Sequence, residues 1–302
     1  MTKTVLILGG RGKIGLHSTR AFQTAGWDVR QFDRSRDDMT RSAMGADVIV
    51  NGLNPPNYHN WAALIPAITR DVIAAARASG ATVIIPGNVY NFGVVNGPID
   101  ASTPQIACSG KGRIRVEMER AYRDAGVPTI NLRAGTFIDP DRNNCVMSQI
   151  VLAKAAKGKI TQMGDPDVIQ PYAYLPDWAR AAVILAEKRD QLARFEDIPF
   201  AGHSFTLRDL QAELSRALQR EMLLSRFPWW LMPILSPVVE VIRELREMRY
   251  LADMPHWLDG TKFDQLLPDF QPTPLRDVML AALPADVHPD QMVRSGKQAV
   301  FA

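Results

Sequence analysis

Short apolar runs alternate with longer stretches of helical period through the first half of the chain. Residues 5–8, 46–51 and 82–85 are rich in Val, Ile and Leu, the pattern of strands buried on both faces, and residues 27–32 and 127–133 read as two further strands. Between them, residues 16–26, 61–79 and 111–125 read as helices. The second carries Trp61, Leu64, Ile65, Ile68, Val72, Ile73 and Ala76 at helical spacing and is stopped by Gly80. Strands alternating with helices predict a parallel sheet joined by right-handed crossovers, hence a doubly wound α/β fold. Beyond about residue 136 the alternation weakens: proline-marked loops, Trp229, Trp230, a charged helix over 239–250 and Trp257 make a less regular C-terminal part. Residues 177–188 read as a helix that returns to the sheet. The expected division is a first domain over 1–165, rejoined by a helix at about 176–190, and a smaller substrate-capping domain built from 166–175 and 191–302.

The first strand runs directly into Gly9-Gly10-Arg11-Gly12-Lys13-Ile14-Gly15. Three glycines spaced three apart between a buried strand and a helix have a mechanical reading. Gly9 allows the tight turn, Gly12 lets the main chain approach a pyrophosphate, and Gly15 lets the helix pack closely on the strand, while the helix start presents free N–H groups to anionic oxygens. The seven residues from Gly9 to Gly15 are therefore expected at a bound dinucleotide. The second strand ends at Asp33, an acid placed to bind the adenosine ribose hydroxyls; Arg11, Arg34 and Arg36 stand close enough in sequence to hold a 2′-phosphate instead. NAD and NADP both remain open, and the guanidinium groups lean the reading toward NADP. Ligands of doubly wound folds sit outside the carboxyl ends of the strands, which gathers Leu53, Asn54, Asn88, Tyr90 and Ala134 around the same crevice.

Composition narrows the partners. The 302 residues carry 46% hydrophobic side chains, enough for a substantial core, and the formal charge of +3 comes from 35 basic and 32 acidic residues that are interspersed. That balance argues against nucleic acid as a partner. Two cysteines, Cys108 and Cys145, and five scattered histidines give neither a disulfide framework nor a metal-ligand spacing, so no structural metal is expected. The apolar segment 227–239 is broken by three prolines and is shorter than a spanning helix; it is expected to be buried in, or to line a pocket of, the second domain, with a greasy dimer or substrate surface as the alternative. With no signal-like segment ahead of the glycine turn, the expected compartment is the cytoplasm. Helices on one face of such sheets commonly pair about a two-fold axis, which leaves a homodimer open.

The landmarks together resemble the extended and atypical short-chain dehydrogenases/reductases, the superfamily that contains sugar-nucleotide epimerases and dehydratases. The resemblance rests on the Gly9-x-x-Gly12-x-x-Gly15 turn, on Val89-Tyr90 followed by Gly93, on Ser102-Thr103-Pro104, on Leu132-Arg133-Ala134-Gly135-Thr136-Phe137 and on Tyr174-Leu175-Pro176-Asp177-Trp178-Ala179-Arg180. It implies a Rossmann-type nucleotide domain and a nicotinamide coenzyme. It also implies a Tyr-x-x-x-Lys helix in which tyrosine moves the proton. Lys111 fits the lysine, whose ammonium would bind the nicotinamide ribose. Ala107 stands where the tyrosine is expected and Pro86 near the expected serine. A positioned acid contributes about 10²–10⁴ in rate, or ~3–5 kcal/mol, so a substitute is needed. The candidates are Tyr90, with Asn88 orienting a substrate oxygen, then Ser109, Cys108, Tyr58, Tyr172 and Tyr174; Lys111 can also assist proton transfer directly, as in atypical members like isoflavone reductase. Arg243, Arg246 and Arg249 offer cations for a nucleotide-sugar diphosphate, or else form a solvated face pairing with Glu240, Glu244 and Glu247. The implied function is an atypical NAD(P)-dependent oxidoreductase or epimerase-like enzyme acting on a small carbonyl or hydroxyl compound or a nucleotide sugar. The alternative is a coenzyme-binding sensor that has lost catalysis.

Overall fold

The structure is a computed structural model that describes residues 2–55, 59–141, 145–235, 240–284 and 287. The chain begins with β1 (Thr4–Leu8), α1 (Lys13–Thr24), β2 (Asp28–Phe32), a short α2 (Met39–Ala43), β3 (Val48–Asn51), α3 (Trp61–Ser79) and β4 (Thr82–Ile85). After β5 (Gly97–Ile99) come α4 (Gly110–Ala125), β6 (Thr129–Arg133), β7 (Thr136–Ile138), β8 (Lys159–Gln162), β9 (Gln170–Tyr174), α5 (Leu175–Glu187) and β10 (Phe195–Pro199). The remainder is β11 (His203–Phe205), α6 (Leu207–Ala217), β12 (Leu223–Arg226), α7 (Met232–Leu235), α8 (Glu240–Glu247), β13 (His256–Leu258), α9 (Thr261–Leu266) and α10 (Leu275–Ala281).

Six strands form the central sheet in the order β10-β6-β4-β3-β1-β2, and every neighbouring pair is parallel. This is the doubly wound, Rossmann-type architecture that the alternation predicts. The period of two along each strand sorts the core into two layers. Val5 and Ile7 of β1, with Val48 and Val50 of β3, pack with Phe22 of α1 and Trp178 of α5, while Leu6, Leu8 and Ile49 face Ile65 and Val72 of α3 and Tyr122 of α4. α3 keeps the predicted span and ends at Gly80 in the left-handed conformation. α1 starts at Lys13, three residues before the expected start, because Gly12 already occupies its N-cap.

β6 departs from the rule that central parallel strands are apolar on both faces. Ile130 and Leu132 enter one layer, but Thr129, Asn131 and Arg133 on the other face are equally buried. That polar face lies beside the functional crevice.

The C-terminal elements pack around a third cluster in which Ile138, Leu152, Ile160, Phe205, Leu210, Leu214, Met222 and Val278 meet. Two small sheets frame it, β7-β9-β11 and the parallel pair β8-β12, and β13 pairs with β5. α6 is fixed by a reciprocal cap in which Thr206 and Asp209 satisfy each other's amides. The charged helix predicted over 239–250 is shorter, closing at Glu247 and continuing as a tighter turn over Arg249–Asp253. Of the apolar segment, residues 236–239 lie outside the described residues. Trp229 is docked through its indole N–H on the Met163 carbonyl at 2.5 Å, whereas Trp230 is 74% exposed rather than buried. Among the described residues no helix is long and apolar enough to cross a membrane, and no cluster of metal-ligating side chains occurs.

Candidate functional site: a glycine turn beside a buried lysine

The chain adds β2 on one side of β1 and β3 on the other, so the loops after β1 and β3 diverge and leave a crevice at their carboxyl ends. Gly9 lies there at φ 76°, and the Gly12 amide closes the turn on the Gly9 carbonyl at 2.8 Å. A Cβ on Gly15 would stand 2.2 Å from that same carbonyl oxygen, so only glycine lets α1 approach this closely. Gly52, after β3, seals the other side of the turn: a Cβ on Gly9 would meet its carbonyl at 2.9 Å. The helix start has no side-chain cap and no acid in its first turn, leaving backbone N–H groups to meet an anion. Of the flanking side chains, Arg11 is exposed, Lys13 half-buried and Ile14 part of the core.

The end of β2 is more occupied than its sequence suggests. The Asp33 carboxylate accepts from the Ser35 amide and hydroxyl and from Arg36 at 3.1 Å. The Ser35 hydrogen bonds hold its pKa below the usual carboxylate value. Arg34 and Leu53, from loops after different strands, line one cavity of about 440 Å³ together with Phe32, Met39 and Ile68. Asp37, Asp38 and Asp71 share its rim, so the cavity joins apolar walls to one guanidinium and several hydrogen-bond acceptors. Asn54 reaches across to α4, where its side-chain oxygen accepts from Arg115 at 3.1 Å, and Arg115 lies 4.7 Å over the Trp61 ring.

Asn88 and Tyr90 leave β4 in a tight turn in which the Asn88 side-chain oxygen accepts from the Tyr90 amide at 2.9 Å. The turn rests on α4, because a Cβ on Gly112 would fall 2.4 Å from the Tyr90 carbonyl. Below it the buried face of β6 carries an ion network. Arg133, fully buried, donates to Glu119 at 2.8 Å, to Asp197 at 2.5 Å and to the Asn88 carbonyl at 2.6 Å, and lies 4.8 Å from the Phe92 ring. Burial opposes the guanidinium charge, but the two carboxylates overcome it and hold Arg133 cationic. Ala134 is wholly enclosed, with its amide on the Gly87 carbonyl at 3.0 Å.

α4 opens with Ser109, whose hydroxyl caps the Gly112 amide at 3.0 Å, and this fixes Lys111 in the first turn. The Lys111 side chain is buried. Its ammonium meets the Glu247 carboxylate at 2.5 Å, and its amide donates to the other Glu247 oxygen at 3.1 Å. Burial pushes Glu247 up, but the bonds from Lys111 outweigh it and hold its pKa below the usual value. The other candidates divide by location. Tyr172 stacks on Phe205 with ring centroids 4.0 Å apart, packed against the third cluster. Tyr174 is raised by burial and by Asp177, Cys108 is exposed, and Tyr58 lies outside the described residues.

Sequence reasoning places Glu247 on a solvated face among arginines; it pairs instead with a lysine 136 positions earlier in the chain. Arg249, from the same charged series, sits 5.2 Å from the Trp229 ring. Glu119 and Asp197 were invisible as a pair of acids around Arg133; the signal available was the polar alternation Thr129, Asn131, Arg133 within a strand that the topology makes central.

Solved structures share this architecture along nearly the whole chain. It is similar to MoeE5, solved in complex with UDP-glucose and NAD, at 14% identity over 97% of this chain and 99% of that one, with a TM-score of 0.73. UDP-glucuronic acid 4-epimerase from Bacillus cereus, solved with UDP-glucuronic acid and NAD, matches at 15% identity over 97% and 99%, TM-score 0.69. A nucleoside-diphosphate-sugar epimerase from Staphylococcus aureus matches at 18% identity over 92% and 99%, TM-score 0.64. No family of known sequences and no curated protein matches the chain. At these identities the likeness establishes the fold.

Proposed function

We propose that this protein binds a nicotinamide dinucleotide across the β1/β3 crossover and acts as an atypical oxidoreductase or epimerase-like enzyme on a nucleotide sugar or a smaller carbonyl or hydroxyl compound. The observation that carries the reading is the Gly9–Gly15 turn at the carboxyl end of β1, packed so tightly on its own main chain and on Gly52 that side chains are excluded at Gly9 and Gly15. Gly10, Arg11, Lys13 and Ile14 would offer main-chain N–H groups to the diphosphate, with the Gly12 amide closing the turn that presents them, and the Leu53 cavity would take the adenine. Lys111 would hold the nicotinamide ribose once released from Glu247, with Asn54, Asn88, Tyr90 and Ala134 forming the crevice wall. The coenzyme supplies or accepts the hydride. Structures of similar fold contain NAD with UDP-glucose or UDP-glucuronic acid, which supports both coenzyme and substrate class. Two free thiols are consistent with a reducing, cytoplasmic compartment.

NADP over NAD is favoured by Arg34, exposed at the cavity rim, and by an Asp33 carboxylate already engaged by Ser35 and Arg36. Titration with NADPH and NADH, followed by reduced-nicotinamide fluorescence, tests the coenzyme reading directly. Micromolar binding is expected, and Arg34→Ala should weaken NADPH at least tenfold while leaving NADH within about twofold. No signal with either coenzyme on folded protein overturns the proposal. The sensor reading is favoured by Ala107 and by the Lys111–Glu247 pair, which leaves the lysine engaged. Tight coenzyme binding with no turnover of UDP-glucose, UDP-glucuronic acid or simple aldehydes would select it.

A further inference from the structure

We propose that Tyr250, carried by the C-terminal part of the chain, is the proton donor to a substrate carbonyl at the Lys111 site. This rests on the coenzyme reading above. Hydride addition to a carbonyl leaves an alkoxide, so a positioned acid is required, and Ala107 supplies none. Glu247 and Tyr250 are three residues apart at the end of α8 and the turn that follows, a spacing that sets both side chains on one side. Glu247 holds that side on the first turn of α4 through the Lys111 amide at 3.1 Å, a bond that does not depend on the ammonium and so persists when the ammonium turns to a ribose. The Tyr250 ring is thereby brought beside Cys108 and Ser109, the two residues after Ala107.

The Tyr250 hydroxyl is enclosed and makes no hydrogen bond of normal geometry among the described residues; Cys108 and Ser109 are the polar groups beside it. An enclosed phenol left in that state forfeits about 1–3 kcal/mol, and such groups in native structures call for an acceptor. A substrate oxygen entering beside Lys111 is that acceptor. Burial, then the neighbouring Cys108 thiol and the Glu247 charge, keep the phenol protonated, the state an acid needs before reaction. Two other tyrosines are committed elsewhere: the Tyr122 hydroxyl accepts from Asn51, and Tyr172 is stacked on Phe205. In the step, the Tyr250 O–H bond breaks as the substrate oxygen takes the proton. The carbonyl carbon takes the hydride, which a reduced nicotinamide supplies while itself losing two electrons, and the phenolate regains a proton from water.

The test labels all tyrosines of the full chain at Cζ with ¹³C and assigns Tyr250 as the resonance missing from Tyr250→Phe. The expected result is a phenol that titrates above the ordinary tyrosine value without coenzyme. Saturating NAD⁺ or NADP⁺, whose nicotinamide carries positive charge, should lower its midpoint by about one pH unit or more. Tyr250→Phe should bind reduced coenzyme within about threefold of wild type, and any turnover that wild type shows should fall by about 10²–10⁴. If Tyr250→Phe does not fold, Cys108→Ala, which alters only the neighbour of the phenol, shifts and so assigns the same resonance. Coenzyme that binds but leaves the Tyr250 midpoint unmoved overturns the proposal and spares the coenzyme reading. A wild type that binds no coenzyme overturns both.

Discussion

The Lys111 ammonium stands 2.5 Å from the Glu247 carboxylate with only 2% of the lysine side chain exposed, and the two residues lie 136 positions apart in the chain. A buried cation held this way is not available to a ribose until the carboxylate withdraws. On the proposed function, coenzyme binding and the docking of α8 are coupled through one ion pair.

Replacing Glu247 by Gln should release that coupling. The lysine loses its charged partner in the free protein and regains hydrogen bonds when the ribose arrives, so reduced coenzyme should bind about three- to tenfold more tightly, a gain of ~0.6–1.4 kcal/mol. Fluorescence titration measures it. Equal or weaker binding would show that Lys111 does not reach the coenzyme.

Gly15→Ala attacks the other end of the site. Its new methyl would lie 2.2 Å from the Gly9 carbonyl oxygen and 2.6 Å from the Gly10 Cα, both main chain, so the turn itself must move. Coenzyme affinity should fall at least a hundredfold, roughly 2.7 kcal/mol. The far-UV circular dichroism of the variant should keep its helical content, because the sheet core is untouched.

The buried Arg133 network should govern stability more than binding. Glu119→Gln keeps the shape but removes one of two carboxylates facing a fully buried guanidinium, and breaking such a pair typically costs about 3–5 kcal/mol. Urea denaturation should show a loss of that order. A change under 1 kcal/mol would mean that Asp197 alone neutralises Arg133.

His256 predicts a pH dependence. Its ring is buried against the Met254 carbonyl, and burial lowers its pKa below the ordinary 6.5. As pH falls below about 6.5 the unfolded chain takes up a proton that the folded one refuses, so stability should decline on acidification by up to ~1.4 kcal/mol per pH unit until the folded pKa is reached. His256→Gln should flatten this part of the profile, read as urea midpoints between pH 7.5 and 5.

Elements that announce themselves locally were legible before the structure. The glycine turn could be read because each glycine answers a local steric demand, and α3 because its apolar period and the Gly80 stop are both written within nineteen residues. Arg34 and Leu53 were each expected at the crevice, and one cavity does contain both. Asp33 was less legible: an acid at a strand end reads as free for a ribose, yet Ser35 and Arg36, two and three residues on, already engage it.

The sequence by itself determined the doubly wound sheet and the glycine turn at the carboxyl end of β1, because strand period, helix period and glycine geometry are short-range properties of the chain. Only the tertiary structure decided what surrounds Lys111. Glu247 reaches it from a helix end far along the chain, with Tyr250 beside Cys108 and Ser109, and Arg133 finds Glu119 on α4 and Asp197 on β10. Charges are neutralised by whatever the fold brings within a few ångströms, and no local pattern in the chain encodes that proximity.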